Sequence, residues 1–159
     1  MAQKYLIVAT KRELKYFLKN FKEEARHRLI IKTGVGATNV IRALRRIPID
    51  ADILNFGFAG SIDYPVGKTV SVGWCRTLHP NVTFQEETFP VGDNQNDCLC
   101  VTSGDFVLDG RTLPPDSIVD MELAYIAAFG FPCLRSIKLI TDNLNYEQYV
   151  NSVKSCLKK

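Results

Sequence analysis

The sequence contains no apolar run long enough to cross a lipid bilayer, for which a helix needs about 20 apolar residues. Its two histidines and five cysteines include no CxxC pair and no zinc-binding spacing, so they indicate neither a zinc site nor a disulfide framework. The start "KYLIVATKRELK" lacks a secretory pattern, because charged residues directly follow a short apolar stretch. We therefore expect a cytoplasmic protein with reduced thiols and without a metal or cofactor.

The net charge of +3 is unevenly distributed, since most of the basic surplus lies in the first 46 residues. A nucleic-acid-binding patch is one interpretation of this cluster. The basic residues alternate with an apolar stripe, however, and lack the interleaved aromatic residues typical of RNA-binding sheets. We therefore predict a solvated helix face, with no nucleic-acid or membrane partner. The residues concerned are Lys11, Arg12, Lys15, Lys19, Lys22, Arg26, Arg28, Lys32, Arg42, Arg45 and Arg46.

Strands and helices alternate along the chain, which predicts one α/β domain covering residues 1–159. Continuous apolar runs such as "YLIVA" and "ADILNFG" are typical of strands buried on both faces of a sheet. The first helix is predicted from apolar residues at spacings of three and four. These residues are Leu14, Phe17, Leu18 and Phe21.

Three further segments are predicted from composition and periodicity. Residues 117–131 are predicted as a helix without a wholly polar face, and residues 145–159 as an amphipathic helix that carries Tyr149. The polar stretch 80–96 between two strands is predicted as a loop.

Glu122 is unusual within the predicted helix 117–131, because Ile118 and Ile126 share its stripe. A buried carboxylate is costly unless another group pairs with it or hydrogen-bonds to it. A basic partner elsewhere in the chain is one explanation, and a bound ligand is the other.

More acidic residues follow the predicted strands, where α/β folds bind their ligands. Glu13 comes after "YLIVA", Asp105 after "CVTS" and Asp142 after "KLIT". Acids around one cleft can divide the work of hydrolysis, since one donates a proton and another accepts a proton from water. Spacing alone leaves this possibility open beside helix caps and surface acids.

Six stretches, taken in order, resemble the methylthioadenosine/S-adenosylhomocysteine nucleosidases of the nucleoside phosphorylase superfamily. They are "IVATKREL", "KTGVGATNVIRAL", "ILNFGFAGSI", "VTSGDFVLD", "IVDMELAYIAA" and "KLITDN". They match the family's acid-rich turn, G-I-G helix start, N-T-G-x-A-G loop, S-G-D-x-F turn, D/E-M-E-G/A-A helix and closing I-S-D. The resemblance implies a shortened member with a three-layer phosphorylase-like fold. Its central sheet would be mixed, largely parallel and flanked by helices.

The resemblance implies a role for each acid. Glu13 aligns with the general base that activates water, and Asp142 with the acid that protonates the purine N7 atom. Met121 and Glu122 match the pair that lies under the ribose, so the sugar hydroxyls would satisfy the buried carboxylate.

Two loops add further substrate-binding residues by the same resemblance. Val107 stands where a phenylalanine normally stacks on the base, which leaves Phe106 or Phe58 as its replacement. His79 matches a family histidine near the tail-binding loop, but a surface histidine is an equal alternative and we leave it out of the site. The implied loop residues are Phe58, Ala59, Gly60, Phe106, Val107 and Leu108.

Phosphate carries two negative charges and calls for arginine or lysine ligands. The early loop "ATKRE" lacks the G-D-P-x-R pattern of phosphorylases, and Arg12 and Lys68 are the candidates for a differently built phosphate site. We therefore predict hydrolysis of the N-glycosidic bond of a purine nucleoside. A phosphorylase and a nucleoside-binding protein without turnover are the alternatives. The family resemblance also implies a homodimer or a larger homo-oligomer.

Overall fold

The computed structural model of the chain describes residues 1–78, 88–94 and 96–158. His79 and most of the predicted loop 80–96 lie outside these residues. The described strands are β1 Lys4–Val8, β2 Leu29–Lys32, β3 Asp52–Gly60, β4 Thr69–Thr77, β5 Thr88–Pro90, β6 Cys98–Thr102, β7 Ser117–Asp120 and β8 Cys133–Asp142. The described helices are α1 Lys11–Asn20, α2 Lys22–Ala25, α3 Ala37–Leu44, α4 Leu123–Ala127 and α5 Tyr146–Lys158, with a 3-10 turn at Gly110–Thr112.

The described strands form one mixed sheet in which five of the eight pairings are parallel. The sheet order is β2-β1-β3-β7-β6-β4-β5, and β8 pairs with both β3 and β4. Strands β3, β7, β6, β4 and β8 therefore close into a ring, which the sequence did not predict. The predicted largely parallel sheet is confirmed.

Helices cover both faces of the sheet, which confirms the three-layer architecture. Along β1, Tyr5 and Ile7 belong to a core cluster that includes residues of α3 and α4. Leu6 and Val8 point the other way, into a cluster with Phe17 of α1. This alternation is the period of two that a strand imposes on its side chains.

Several strands end at one place, and this convergence positions the site. Strands β1, β3 and β8 run parallel, so their carboxyl ends lie at the same edge. Strand β7 runs antiparallel to β3, but the two pair only through Gly60 and Val119, at the carboxyl end of each. All four strands therefore deliver the residues that follow them to one region.

Three local predictions are wrong. The predicted helix 117–131 is strand β7 followed by the short helix α4, because 117–120 pairs with β6 in the sheet. Leu18 of α1 is 39% exposed and does not join the buried face. Residues 88–90 within the predicted loop form β5, which pairs with β4.

The cysteines with described side chains are Cys75, Cys98, Cys100 and Cys133, and all four are free thiols. Burial raises the pKa of Cys75 to about 12 and the pKa of Cys98 to about 11. These thiols therefore stay protonated and unreactive near neutral pH. In the described part of the chain, no helix is both long and apolar enough to span a membrane.

Candidate active site

A cavity of about 320 Å³ lies where the four strand ends meet. This volume is within the range of small-molecule binding sites. Nine of the ten site residues predicted from the sequence line it: Glu13, Phe58, Ala59, Gly60, Phe106, Val107, Met121, Glu122 and Asp142. The tenth, Leu108, does not line the cavity, because its side chain is 66% exposed on the irregular segment after β6.

Glu13 is held at the start of α1 by its own backbone. The Thr10 hydroxyl caps the helix by accepting from the Glu13 amide, at 3.2 Å. Glu13 Oε2 accepts from the Ala9 and Thr10 amides at 2.7 and 3.0 Å, and Oε1 accepts from the Phe58 amide at 3.1 Å. Because a carboxylate offers about four acceptor positions, one position on Oε1 remains for a ligand or water. Burial raises the pKa of Glu13 above its ordinary value, although these amides oppose the rise.

Asp142 ends β8 and is buried. Its Oδ1 accepts from the Thr141 hydroxyl at 2.9 Å, and its Oδ2 accepts from the Leu144 amide at 3.0 Å. Burial raises the pKa of Asp142, and these hydrogen bonds lower it again in part. Gly60 faces this carboxylate, and a Cβ atom there would lie 2.8 Å from Asp142 Oδ2. Glycine is therefore required at position 60 of the predicted glycine loop, because Asp142 approaches too closely for a larger residue.

Glu122 lies in the turn between β7 and α4, directly before the helix. Its Oε1 accepts from the Gly36 amide at 3.3 Å, and that residue precedes α3. Burial, then the charge of Asp120, raise the pKa of Glu122 to about 8, although Lys138 opposes the rise. With no described hydrogen-bond partner for its second oxygen, Glu122 presents a carboxyl group to the cavity beside Met121.

No protein-family model matches the sequence, and no curated protein matches it at a significant level. Solved structures do match. The MTAN of Chlamydia trachomatis aligns with a TM-score of 0.73 and 26% identity, over 99% of this chain and 93% of that chain. A substituted form of that protein, bound to MTA, aligns with a TM-score of 0.76 and 24% identity, over 99% and 92% of the two chains. The 5'-methylthioadenosine/S-adenosylhomocysteine nucleosidase of Helicobacter pylori, with butyl-thio-DADMe-Immucillin-A, aligns with a TM-score of 0.70 and 15% identity, over 98% and 93%.

This chain has the fold of the methylthioadenosine/S-adenosylhomocysteine nucleosidases. The six sequence stretches that resemble this family begin in β1, β2, β3, β6, β7 and β8, and the carboxyl ends of these strands lie at one edge of the nucleosidase fold.

A buried ion pair lies behind the acidic residues of the nucleosidase fold. Lys138 of β8 has no exposed surface, and its Nζ donates to Asp120 Oδ2 at 2.7 Å. Asp120 also accepts from the Thr102 hydroxyl at 2.6 Å and from the Leu123 amide at 2.9 Å. Burial by itself lowers the pKa of Lys138. The negative charge of Asp120 opposes this effect, and the net result is a pKa above the ordinary value, so the ammonium stays charged.

Lys138 also acts on the other acids of the site. A Cβ atom at Gly57, its neighbour on β3, would lie 2.9 Å from Lys138 Nζ and 3.4 Å from Glu13 Oε1. The ammonium and the carboxylate therefore approach each other through the space that this glycine leaves open. The charge of Lys138 lowers the pKa of both Glu13 and Glu122.

Lys138 and Asp120 are not among the residues predicted from the sequence. A signal for Lys138 was available, since it is the one charged residue in the apolar run "IKLIT" of a predicted buried strand. A lysine in that place needs an acidic partner. The partner could not be named, because residues 120 and 138 become neighbours only when β7 and β8 fold into the ring.

Aromatic side chains form two parts of the cavity wall. Phe58 packs edge-on against Phe56 and Tyr16, with ring centroids 6.3 and 6.4 Å apart. Phe106 packs against Tyr146 and Tyr149 of α5, with centroids 5.4 and 5.6 Å apart. Both candidates for the missing aromatic platform therefore line the cavity, and α5 adds Tyr146 and Tyr149, which are not among the predicted site residues.

The described cavity wall carries five carboxyl groups and no lysine or arginine. The acids are Glu13, Asp105, Asp120, Glu122 and Asp142. Arg12 and Lys68, the predicted candidates for a phosphate site, are exposed and do not line the cavity. The described wall therefore offers no cationic side chain to an anion such as phosphate. Within the described residues, no three His, Cys, Asp or Glu side chains are arranged to hold a metal ion.

The raised pKa of Glu122 gives a testable pH dependence of stability. Between the ordinary value of 4.5 and about 8, the folded protein keeps a proton that the unfolded chain has lost. The protonated Glu122 therefore contributes its full stability to the folded protein below pH 4.5. This contribution is lost as the pH rises through the folded-state pKa of about 8. Glu122→Gln removes this titration, so its thermal unfolding midpoint should rise relative to that of the wild type between about pH 5 and about pH 9.

The matched control for this measurement is Glu147→Gln, which removes an exposed glutamate from α5. Its midpoint should follow that of the wild type at every pH. Parallel curves for Glu122→Gln and the wild type would show that Glu122 titrates normally.

Proposed function

We propose that this protein is a nucleosidase, which hydrolyses the N-glycosidic bond of a purine nucleoside of the methylthioadenosine or S-adenosylhomocysteine type. The observation that carries the proposal is the meeting of three acids in one cavity. Glu13, Glu122 and Asp142 come from three distant parts of the sequence and line the same wall. They do so in the fold that solved MTA/SAH nucleosidases share.

Glycosidic cleavage needs a proton on the departing base, and Asp142 is the proposed donor. Burial raises its pKa, which favours the protonated form that a general acid requires. The Thr141 hydroxyl and the Leu144 amide fix the orientation of the carboxyl group. Transfer of this proton to the purine N7 atom would neutralise the leaving base as the bond from the base nitrogen to C1′ breaks.

The attacking water needs a base, and Glu13 is the proposed acceptor. Three backbone amides hold its carboxylate in place, and the remaining acceptor position on Oε1 can take the proton of a water molecule. The oxygen of this water would bond to C1′ while its proton goes to Glu13. The products would be the free base and the ribose moiety.

Glu122 is the proposed anchor for the sugar. A carboxyl group that is buried and raised in pKa is stabilised when hydroxyl groups donate hydrogen bonds to its ionised form. The adjoining Met121 would pack under the ribose ring, as the family resemblance implies. Phe106 and Val107 would contact the base near Asp142, because these residues share the cavity wall.

The lack of a lysine or arginine in the described wall favours hydrolysis over phosphorolysis. Phosphate recognition depends on cationic donors, and the described wall has five acids and no lysine or arginine. Water, unlike phosphate, needs no cationic donor to bind beside Glu13.

The test is the release of free base from methylthioadenosine and inosine, measured with and without added phosphate. A nucleosidase should release base at the same rate in both conditions and produce an unphosphorylated sugar. Strict dependence of turnover on phosphate would identify a phosphorylase instead. Tight nucleoside binding without release over hours would identify a binding protein.

A further inference from the structure

A second cavity lies between α1, α5 and the end of β8. Its volume is about 360 Å³, compared with about 320 Å³ for the cavity of the candidate active site. Helices α1 and α5 contribute Glu13 and Tyr149 to the active-site cavity, and each contributes a residue to the second cavity further along, Lys19 and Ser155. In both helices this separation corresponds to about 9 Å along the axis. The two cavities therefore occupy successive positions along the same pair of helices.

The two cavities adjoin but have different walls. In the part of the chain that the structure describes, Thr141 is the only residue that lines both. Its hydroxyl donates to Asp142 Oδ1 on the active-site side, at 2.9 Å. Tyr16 of the second cavity packs edge-on against Phe58 of the active-site cavity, with ring centroids 6.4 Å apart. A ligand in the second cavity would therefore lie behind the active-site wall and outside the proposed nucleoside site.

The charges of the second cavity differ from those of the active site. Its described wall contains one charged side chain, Lys19, and no acid, whereas the described active-site wall carries five acids and no lysine or arginine. Lys19 is exposed at the edge of the cavity and forms no ion pair with any described residue. An ammonium group without an acidic partner favours a ligand with a negative charge.

The rest of the second cavity supplies hydrogen-bond donors and an apolar surface. Asn20 Nδ2 donates one hydrogen to Tyr16 O at 2.9 Å, which leaves its second N–H for a ligand. The half-buried Ser152 hydroxyl has no hydrogen-bond partner among the described residues. The apolar part of the wall comes from Val66, Leu139 and Ile140. A cavity of this size, with apolar walls and a few polar groups, is typical of a small-molecule site.

We infer that the second cavity is a small-molecule site, separate from the nucleoside site, which binds an aromatic carboxylate. The carboxylate would pair with Lys19, and the aromatic body would pack against Tyr16 and the apolar wall. A single lysine matches the one charge of a carboxylate, whereas phosphate carries two charges and calls for more cationic donors. This inference goes beyond the proposed function and does not depend on it.

The experiment compares 2-naphthoate with its neutral isostere 2-naphthamide, using calorimetry to measure Kd for both. The wild type should bind naphthoate more tightly by a factor of about 5, as expected for a charge pair at an exposed lysine. Lys19→Met keeps the apolar stem and removes the charge, so it should bind the two compounds equally. Lys22→Met is the matched control, because Lys22 is exposed and outside the described cavity wall, and it should keep the wild-type preference.

A second variant locates the bound compound. Ser155 is exposed on the cavity wall, so Ser155→Trp should fill the entrance and abolish binding of both compounds without lowering the thermal unfolding midpoint. Displacement of naphthoate by methylthioadenosine would place it in the nucleoside site, and displacement by inorganic phosphate would show a site for any anion. Either result, unchanged binding by Ser155→Trp, or no saturable binding to the wild type would overturn the inference. None of these measurements uses base release, so failure of the proposed function would leave their interpretation unchanged.

Discussion

Replacing Asp142 with asparagine is expected to lower kcat for base release by a factor of about 10²–10⁴, the usual contribution of a general acid. Asparagine fills the same volume but cannot transfer a proton to the leaving base. The amide oxygen of asparagine can still accept from the Leu144 amide. Its NH₂ group can donate to the Thr141 hydroxyl oxygen, and the Thr141 hydroxyl can then donate to Ala59 O, which lies 3.4 Å away. The variant should therefore fold and bind nucleosides almost as the wild type does.

The measurement is kcat for release of free base at saturating methylthioadenosine, together with the thermal unfolding midpoint. Asp50→Asn is the matched control, because Asp50 is exposed and outside the cavity wall. It should keep the wild-type rate. Full activity of Asp142→Asn would remove Asp142 from the proposed mechanism, whereas lost activity with a greatly lowered midpoint would indicate a structural role.

Replacing Lys138 with methionine is expected to lower the free energy of unfolding by about 3–5 kcal/mol, the range for removing one partner of a buried ion pair. The change leaves Asp120 as an uncompensated charge without solvent. The Thr102 hydroxyl and the Leu123 amide still donate to Asp120, but neither group carries a full positive charge. Urea unfolding followed by circular dichroism measures the loss.

A double variant separates the charge from the packing. Asp120→Asn together with Lys138→Met removes both charges, so it should recover much of the lost stability. Arg111→Met is the control, since Arg111 and Asp109 form an ion pair of similar length, 2.8 Å, on the surface. It should produce no measurable change, because solvent screens exposed pairs. Equal stability of Lys138→Met and the wild type would contradict a charged pair in the core.

Loss of Lys138 should also move the pH dependence of catalysis. Its charge lowers the pKa of Glu13 and Glu122. Without it, a higher pH is needed to ionise the proposed base. The acidic limb of the pH profile of kcat/KM for Lys138→Met should therefore shift to higher pH.

The segment around Glu122 shows that apolar periodicity alone does not distinguish a short buried strand from a buried helix. The stretch 117–131 has apolar residues at helical spacing, yet its first four residues form β7. A short apolar run fits a buried strand as well as a buried helix. Pairing with β6 decides between the two, because its hydrogen bonds hold residues 117–120 in an extended conformation. Glu122 is still a candidate, because a carboxylate with apolar neighbours on both sides, Met121 and Leu123, is unusual in either structure.

Tyr149 and Lys138 show what local sequence could not supply. Tyr149 was predicted as part of an amphipathic helix, and nothing in the sequence distinguished packing against the core from lining a cavity. Lys138 and Asp120 are 18 residues apart, and their contact depends on the closure of the sheet into a ring. When two residues meet only in the tertiary structure, their separation along the sequence does not predict the contact.

The sequence by itself determined the alternation of strands and helices, the acidic residues that follow the strands, and the ordered stretches that resemble a nucleosidase. These features are local, because apolar periodicity and glycine turns act over a few neighbouring residues. The tertiary structure alone decided that β7 meets β3 at their carboxyl ends, that Lys138 lies behind the acids, and that α5 adds Tyr149 to the wall. The physical reason is that electrostatic and packing interactions depend on distance in space, and chain folding sets that distance.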